Sequence, residues 1–248
     1  MTADKKNTFE KLKGAKEIYV LMSDCTKMPF VLCDSETYDD EVLLFYTEEE
    51  AKTEGKKLVD ANHPIRILKI VNQYFLSFFS SLFPMGVNCL IIGKGTKEEI
   101  RIQLNELIRR PDNPGKSSGE KLIENPEFLL TAIYLMQNLR GKKKDIPVQE
   151  IKDLEEEMMA HYGKGKYLIA LNPDKQIPVL KKEDGQILQP LFTDVQEFLK
   201  FQNMNKKIKY TIGTVEAKKV PDMLSKETTG IVLNPMGINM QLNIVRKE

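Results

Sequence analysis

The alternation of apolar and polar residues writes one pattern twice along the chain. Residues 18–31, IYVLMSDCTKMPFV, give an apolar run, a polar turn and a second run opened by Met-Pro. Residues 167–180, YLIALNPDKQIPVL, have the same shape. Laid over one another without gaps, Tyr19–Met22 falls on Leu168–Leu171 and Met28–Val31 on Ile177–Leu180. Each stretch predicts a strand, a turn and a second strand. Each proline stands near the start of its second strand, where a missing N–H is tolerated. Polar segments follow at 33–41 and 181–189, the latter with the turn pair Asp184-Gly185. Then VLLFYTEEEA (42–51) and QPLFTDVQEF (189–198) predict a third strand running into a helix. Thr47-x-x-Glu50 and Thr193-x-x-Gln196 have the form of capping boxes: the Thr oxygen accepts from an N3 amide, and the Glu or Gln reaches back to the cap. A fourth strand is predicted at IRILKI (65–70) and IKYTIGTV (208–215). Short helices follow at YFLSFFSSLF (74–83) and PDMLSKE (221–227), and closing strands open at Gly86-Val87 and Gly230-Ile231.

The middle of the chain has another texture. RRPDNPGKSSGEK (109–121), rich in Pro, Gly, Ser and charge, predicts an exposed loop. Asn125-Pro126-Glu127 reads as a helix start, with Phe128, Ala132, Leu135 and Leu139 on one stripe and a stop at Gly141. After the basic KKKD, a second helix begins near Pro147, carries Val148, Ile151, Leu154 and Met158 on one face, and ends near Gly163. The expected organisation is a tail or helix at 1–16, a first unit at 17–108, the loop at 109–121, a helical hairpin at 122–165 and a second unit at 166–248.

The uncharged run from Val71 to Gly93 is long enough to span a bilayer. Pro84 and Gly86 break it in the middle, however, and the corresponding part of the second unit is polar, so a helix, a turn and a buried strand are expected instead. Composition narrows the function classes. Lys+Arg is 37 against Asp+Glu 36, so no global charge draws the chain to nucleic acid or an anionic membrane. Cys25, Cys33 and Cys89 are an odd set without C-x-x-C spacing, which predicts neither a disulfide framework nor a zinc site. The opening MTADKKNTFEKLKG has no apolar run of the secretory kind, and the expected compartment is a reducing cytoplasm.

Two motifs of the second unit, Phe192-Thr193-Asp194 and Gly230-Ile231-Val232-Leu233-Asn234-Pro235-Met236-Gly237, resemble those of the bacterial SseB family, named for enhanced serine sensitivity. The resemblance covers residues 166–245 well and 17–108 more weakly. The first unit has Tyr46-Thr47-Glu48 but reads Gly86-Val87-Asn88-Cys89-Leu90 where Asn-Pro is sought. It implies an α+β fold of two tandem SseB-like units joined by a helical hairpin, and it implies no established reaction. It also marks Asn234, Pro235 and Gly237 as a candidate binding turn.

Other candidate chemistry reads as structure. GKSSGEK (115–121) lacks the leading glycine and strand of a P-loop, and GKGTKEE (93–99), which offers backbone amides to a phosphate, reads as a turn. The acidic runs 39–41, 48–50 and 155–157 read as solvated faces or as the first turn of a helix. His63 and His161 have no nucleophile and acid around them, and Cys25 falls in a predicted turn. The feature in excess is the aromatic helix: Phe75, Phe79 and Phe83 stack at i, i+4, and Leu76 and Phe83 widen the apolar arc. Phe75, Phe78, Phe79 and Phe83 are therefore the candidate interface, toward a protein partner or a second copy of the chain. The expected function is a non-catalytic interaction or regulatory module of a bacterial cytoplasm, with no catalytic residues, metal or cofactor. The alternative is a small-molecule, amino-acid-binding protein with its site between the units or at the Asn234–Gly237 turn.

Overall fold

The computed structural model describes residues 3–110, 122–141, 146–244 and 246. Residues 111–121, with the P-loop-like stretch, and the basic 142–145 lie outside the described residues. The N-terminal segment, expected as a tail or helix, is α1 (Ala3–Gly14). The first unit then runs β1 (Glu17–Ser23), β2 (Val31–Cys33), β3 (Asp40–Phe45), α2 (Glu48–Asp60), β4 (Ile65–Val71), α3 (Phe75–Leu82), β5 (Cys89–Ile92), β6 (Ile100–Gln103) and α4 (Leu104–Leu107). Its sheet has the order β4-β1-β3-β5-β6, with β2 also on β3. The β3–β5 pair is parallel and the others are antiparallel. At Thr47 the capping box forms: Glu50 N donates to Thr47 Oγ1 at 3.2 Å, and Glu50 Oε2 accepts from Thr47 N at 3.2 Å.

The helical hairpin is α5 (Pro126–Leu139) and α6 (Val148–Lys164). The second unit runs β7 (Lys166–Leu171), β8 (Leu180–Lys181), β9 (Ile187–Leu191), α7 (Val195–Met204), β10 (Thr211–Glu216), α8 (Val220–Met223), β11 (Gly230–Leu233) and β12 (Met240–Leu242). Here β10 pairs with β7, β7 meets the end of β9 through the Leu168–Phe192 bridge, β9 is parallel to β11, and β12 and β8 flank them. The order of pairings is that of the first unit, and the architecture is α+β.

Strand alternation sends each sheet to two cores. Ile18, Val20, Val42, Leu44, Leu90 and Ile92 on one side, and Tyr167, Leu191, Ile231 and Leu233 on the other, enter a single core with Phe128, Ala132 and Leu135 of α5 and Met158 and Tyr162 of α6. The opposite faces have their own helices. Tyr19, Leu21, Leu43 and Phe45 pack with Ala51 of α2, and Leu168, Ala170 and Phe192 with Phe198 and Phe201 of α7. Polar ties fix the central hairpin to both sides. Gln137 Nε2 donates to Val31 O (2.9 Å) while its Oε1 accepts from Val31 N (3.1 Å). Arg140 donates to Cys25 O (2.9 Å), Ile238 O (2.6 Å) and Asn239 O (2.8 Å). Asn125 stands at the helix start as expected, but its amide is not a cap: it donates to Lys166 O and Thr193 O, anchoring α5 to the second sheet.

Some expectations hold and others are corrected. The 71–93 run breaks into the end of β4, a 3-10 turn, α3, a second turn and β5, with Gly86 at φ 83°, a left-handed position suited to glycine. No helix among the described residues is long and apolar enough to cross a membrane. Val148 is 71% exposed, so the buried stripe of α6 starts later, at the half-buried Ile151. The Ile177-Pro178-Val179 stretch does not pair as a strand, and Lys175 turns the chain at φ 62° instead. The strand expected at 208 begins at Thr211, and β6 and β12 have no counterpart in the sequence reading.

Candidate functional site

The aromatic helix places its four phenylalanines differently. Phe75 and Phe79 are 7% and 4% exposed and belong to the central core, and Phe78 and Phe83 are half-buried against it. The apolar side chain that this helix leaves most open is Leu76, which is 67% exposed. Leu76 stands in an open groove of about 640 Å³, formed with Phe9 and Leu12 of α1 and with Leu107 and Ile108 at the end of α4, over a floor of Phe75 and Phe79. Lys6, Glu10, Lys13 and Glu106 contribute charge of both signs to its lining. An ion pair from Lys5 to Glu106 (2.6 Å) ties α1 to α4.

The Asn234–Gly237 turn is a packed polar knot. Asn234, Pro235 and Gly237 are all buried, and Asn234 takes a left-handed φ of 48°. Its Oδ1 accepts from Thr193 N (3.0 Å) and its Nδ2 donates to Thr193 Oγ1 (2.8 Å), so both ends of the amide are engaged within the protein. The Thr193–Gln196 capping box does not form. The cap is Asp194, whose Oδ1 accepts from Gln196 N (2.8 Å) and Glu197 N (3.1 Å), while Thr193 Oγ1 donates to Asp194 Oδ2 (2.7 Å). Glu197 occupies the N3 position that Glu50 holds in α2, yet points inward. It is 2% exposed, its Oε1 accepts from Lys200, and its Oε2 has no hydrogen bond. Burial raises its pKa, against the pull of Lys200. Gly237 lies against this carboxylate: a Cβ there would stand 2.5 Å from Glu197 Oε2.

A third cluster was not expected as a site. The run 39–41, read as a solvated face, is largely inside: Glu41 is 3% exposed, and Asp39 and Asp40 are half-buried. Parallel pairing sets Glu41 opposite Cys89, and the ligating atoms of Asp39, Glu41 and Cys89 all lie within 4.8 Å of one another. Asp39 accepts from Asn88 Nδ2 (2.9 Å) and Gln103 Nε2 (3.0 Å). Arg101 pairs with Asp34 (2.5 Å) and lies 3.3 Å from Glu41. Burial pushes the Glu41 carboxyl up and the Cys89 thiol up to about 11, where the Asp39 charge adds to the shift.

The remaining candidates are structural. Glu99 Oε2 accepts from Gly95 N (2.9 Å), taking an amide that the 93–99 turn would offer a phosphate. His63 packs edge-on to Phe30 with ring centroids 5.0 Å apart, and His161 faces Glu157 on α6. Cys25, in the turn after β1, is buried, and burial raises its pKa.

No protein-family model matches the chain, and no curated protein does. Two solved structures align over most of its length. Tic22 from Plasmodium falciparum is 13% identical over 91% of this chain and 90% of that one, with a TM-score of 0.23. Anabaena Tic22, a protein-transport component, is 11% identical over 94% and 92%, with a TM-score of 0.24. Scores this low transfer neither fold nor function.

Proposed function

We propose that the chain is a non-catalytic interaction module of a bacterial cytoplasm, built from two divergent SseB-like units around a helical hairpin. The groove between α1, α3 and α4 receives an amphipathic helix of a protein partner. The observation that carries this reading is the groove itself, an apolar floor with the exposed Leu76 in its lining and charges of both signs around it. A helix laid in such a groove buries an i, i+3/i+4, i+7 stripe and meets the charged residues with its flanks. The shared order of strand pairings supports the two-unit reading.

The test is Leu76→Asp, which places a charge in the groove from an exposed position. Its melting temperature should match wild type. With wild-type bait, a stoichiometric cross-linked partner is identified and its contact peptide mapped. The variant should lose that partner and the enhancement of an apolar dye's fluorescence. A partner held equally well by the variant, or mapped to another face, overturns the proposal.

A further inference from the structure

We propose that Asp39, Glu41 and Cys89 form a binding site for a divalent cation of the zinc class, independent of the groove. Their ligating atoms lie within 4.8 Å of one another, on residues that come from a loop and two neighbouring strands. Two carboxylate oxygens and a sulfur suit Zn²⁺, a borderline-soft ion that takes both donor types and prefers four ligands. Three protein donors leave one tetrahedral position for water.

Burial separates this cluster from an ordinary acidic surface. The Glu41 side chain is 4% exposed, and its Oε1 makes no hydrogen bond although Arg101 Nε is 3.3 Å away. A carboxylate placed inside without aligned donors is costly unless a cation completes it. Charge points the same way. Asp34 and Glu41 both face one guanidinium, Arg101, which is already engaged by Asp34 at 2.5 Å. Nor does the fold require these residues. At the start of the other parallel pair, β9 and β11, Leu188 stands opposite Gly230 where β3 and β5 hold Glu41 opposite Cys89. Asp39 is half-buried and gives the cluster its opening to solvent. On binding, the Cys89 S–H bond breaks, the sulfur keeps the electron pair and bonds the metal, and the proton passes to solvent.

The test uses the full chain, stripped with chelator and titrated with Co²⁺, then with Zn²⁺ in competition. One equivalent of Co²⁺ should produce a sulfur-to-cobalt charge-transfer band in the near ultraviolet, and Zn²⁺ should abolish it. The band should vanish in Cys89→Ser and weaken in Glu41→Gln, with circular dichroism confirming that both fold. It should persist in Cys33→Ser, which removes the exposed thiol. Native mass spectrometry of the wild-type chain with Zn²⁺ gives a second readout that needs no variant. A wild-type chain that binds no equivalent of either metal overturns the proposal, as does a band that follows Cys33 instead of Cys89.

Discussion

Gln137 joins the hairpin to the first sheet through two hydrogen bonds to one strand residue. Its side-chain amide lies along Val31 as a neighbouring strand would, donating to the carbonyl at 2.9 Å and accepting from the N–H at 3.1 Å. Val31 is 1% exposed and Gln137 is 4% exposed, so water has no ready access to either. Replacing Gln137 with Ala leaves two backbone groups of Val31 without partners. Each such group costs about 1–3 kcal/mol when buried, which sets the loss at about 2–6 kcal/mol before any cavity contribution. Gln137→Met separates the two effects, because it fills a similar volume with no amide. Urea unfolding of wild type and both variants gives the differences at constant m. Both should lose at least about 2 kcal/mol, with Ala the worse. If Met costs less than about 0.5 kcal/mol while Ala costs several, packing rather than pairing holds the join, and the reasoning fails.

Other outcomes follow from the buried polar positions. In the native state a thiol reagent at pH 8 should label Cys33 alone, with Cys25 and Cys89 reacting only on unfolding, because both are buried with raised pKa values; rapid labelling of a second thiol contradicts this. Asn234→Gly keeps the left-handed backbone accessible but leaves the buried Thr193 N–H without its acceptor, and should cost about 1–3 kcal/mol in chemical denaturation; a neutral result means water takes the place of the amide. Glu197 has a folded pKa raised by burial, so the folded state holds its proton more tightly than the unfolded state does. Its contribution is therefore most favourable below the unfolded value of about 4.3 and is lost as pH rises toward and through the folded pKa. Glu197→Gln should gain stability relative to wild type between pH 4 and 7, and a difference that is flat or of opposite slope refutes the assignment.

What could be read from the sequence was local. Tyr19 to Met22 and Val42 to Phe45 are apolar on both faces, and each face finds a core. Thr47 and Glu50 are three residues apart, so their capping box could be read directly. The cap of α7 could not, because Thr193 and Asp194 are both good cap residues and are adjacent. What decides between them is Asn234, 41 residues away, which takes Thr193 for itself and leaves the cap to Asp194. The Asp39–Glu41–Cys89 cluster escaped for the same kind of reason. It has no motif spacing, and only the parallel register of β3 and β5 brings Glu41 to Cys89. The breadth of the apolar arc on α3 was visible, but its cause was not: α1 and α4 wall the side that the core does not cover.

The differences between the two strand sets point to where binding belongs. After the parallel strand β5, Gly93 N donates to Leu44 O, and after β11, Asn234 N donates to Leu191 O, at 2.8 and 2.9 Å. Both residues have positive φ, so the backbone makes the same turn twice. Glycine brings no side chain to the first turn, and there the amides at the start of α2, of Tyr46 and Thr47, are met by Glu50 at 3.3 and 3.2 Å. In the second turn Asn234 meets the amide of Thr193, and Glu197 is released into the interior with one oxygen unpaired. The exchange accounts for the second unit's buried acid from within the fold: Asn234 meets the amide, and the Glu197 carboxylate lies so close to Gly237 that a Cβ there would clash with it. No comparable exchange accounts for Glu41. Its pairing partner is a cysteine, its neighbour Asp39 opens to solvent, and the corresponding pair in the other sheet is Leu188 with Gly230. A buried carboxylate explained by a local substitution calls for no ligand, whereas one that is unexplained, clustered with a thiol and reachable from outside does.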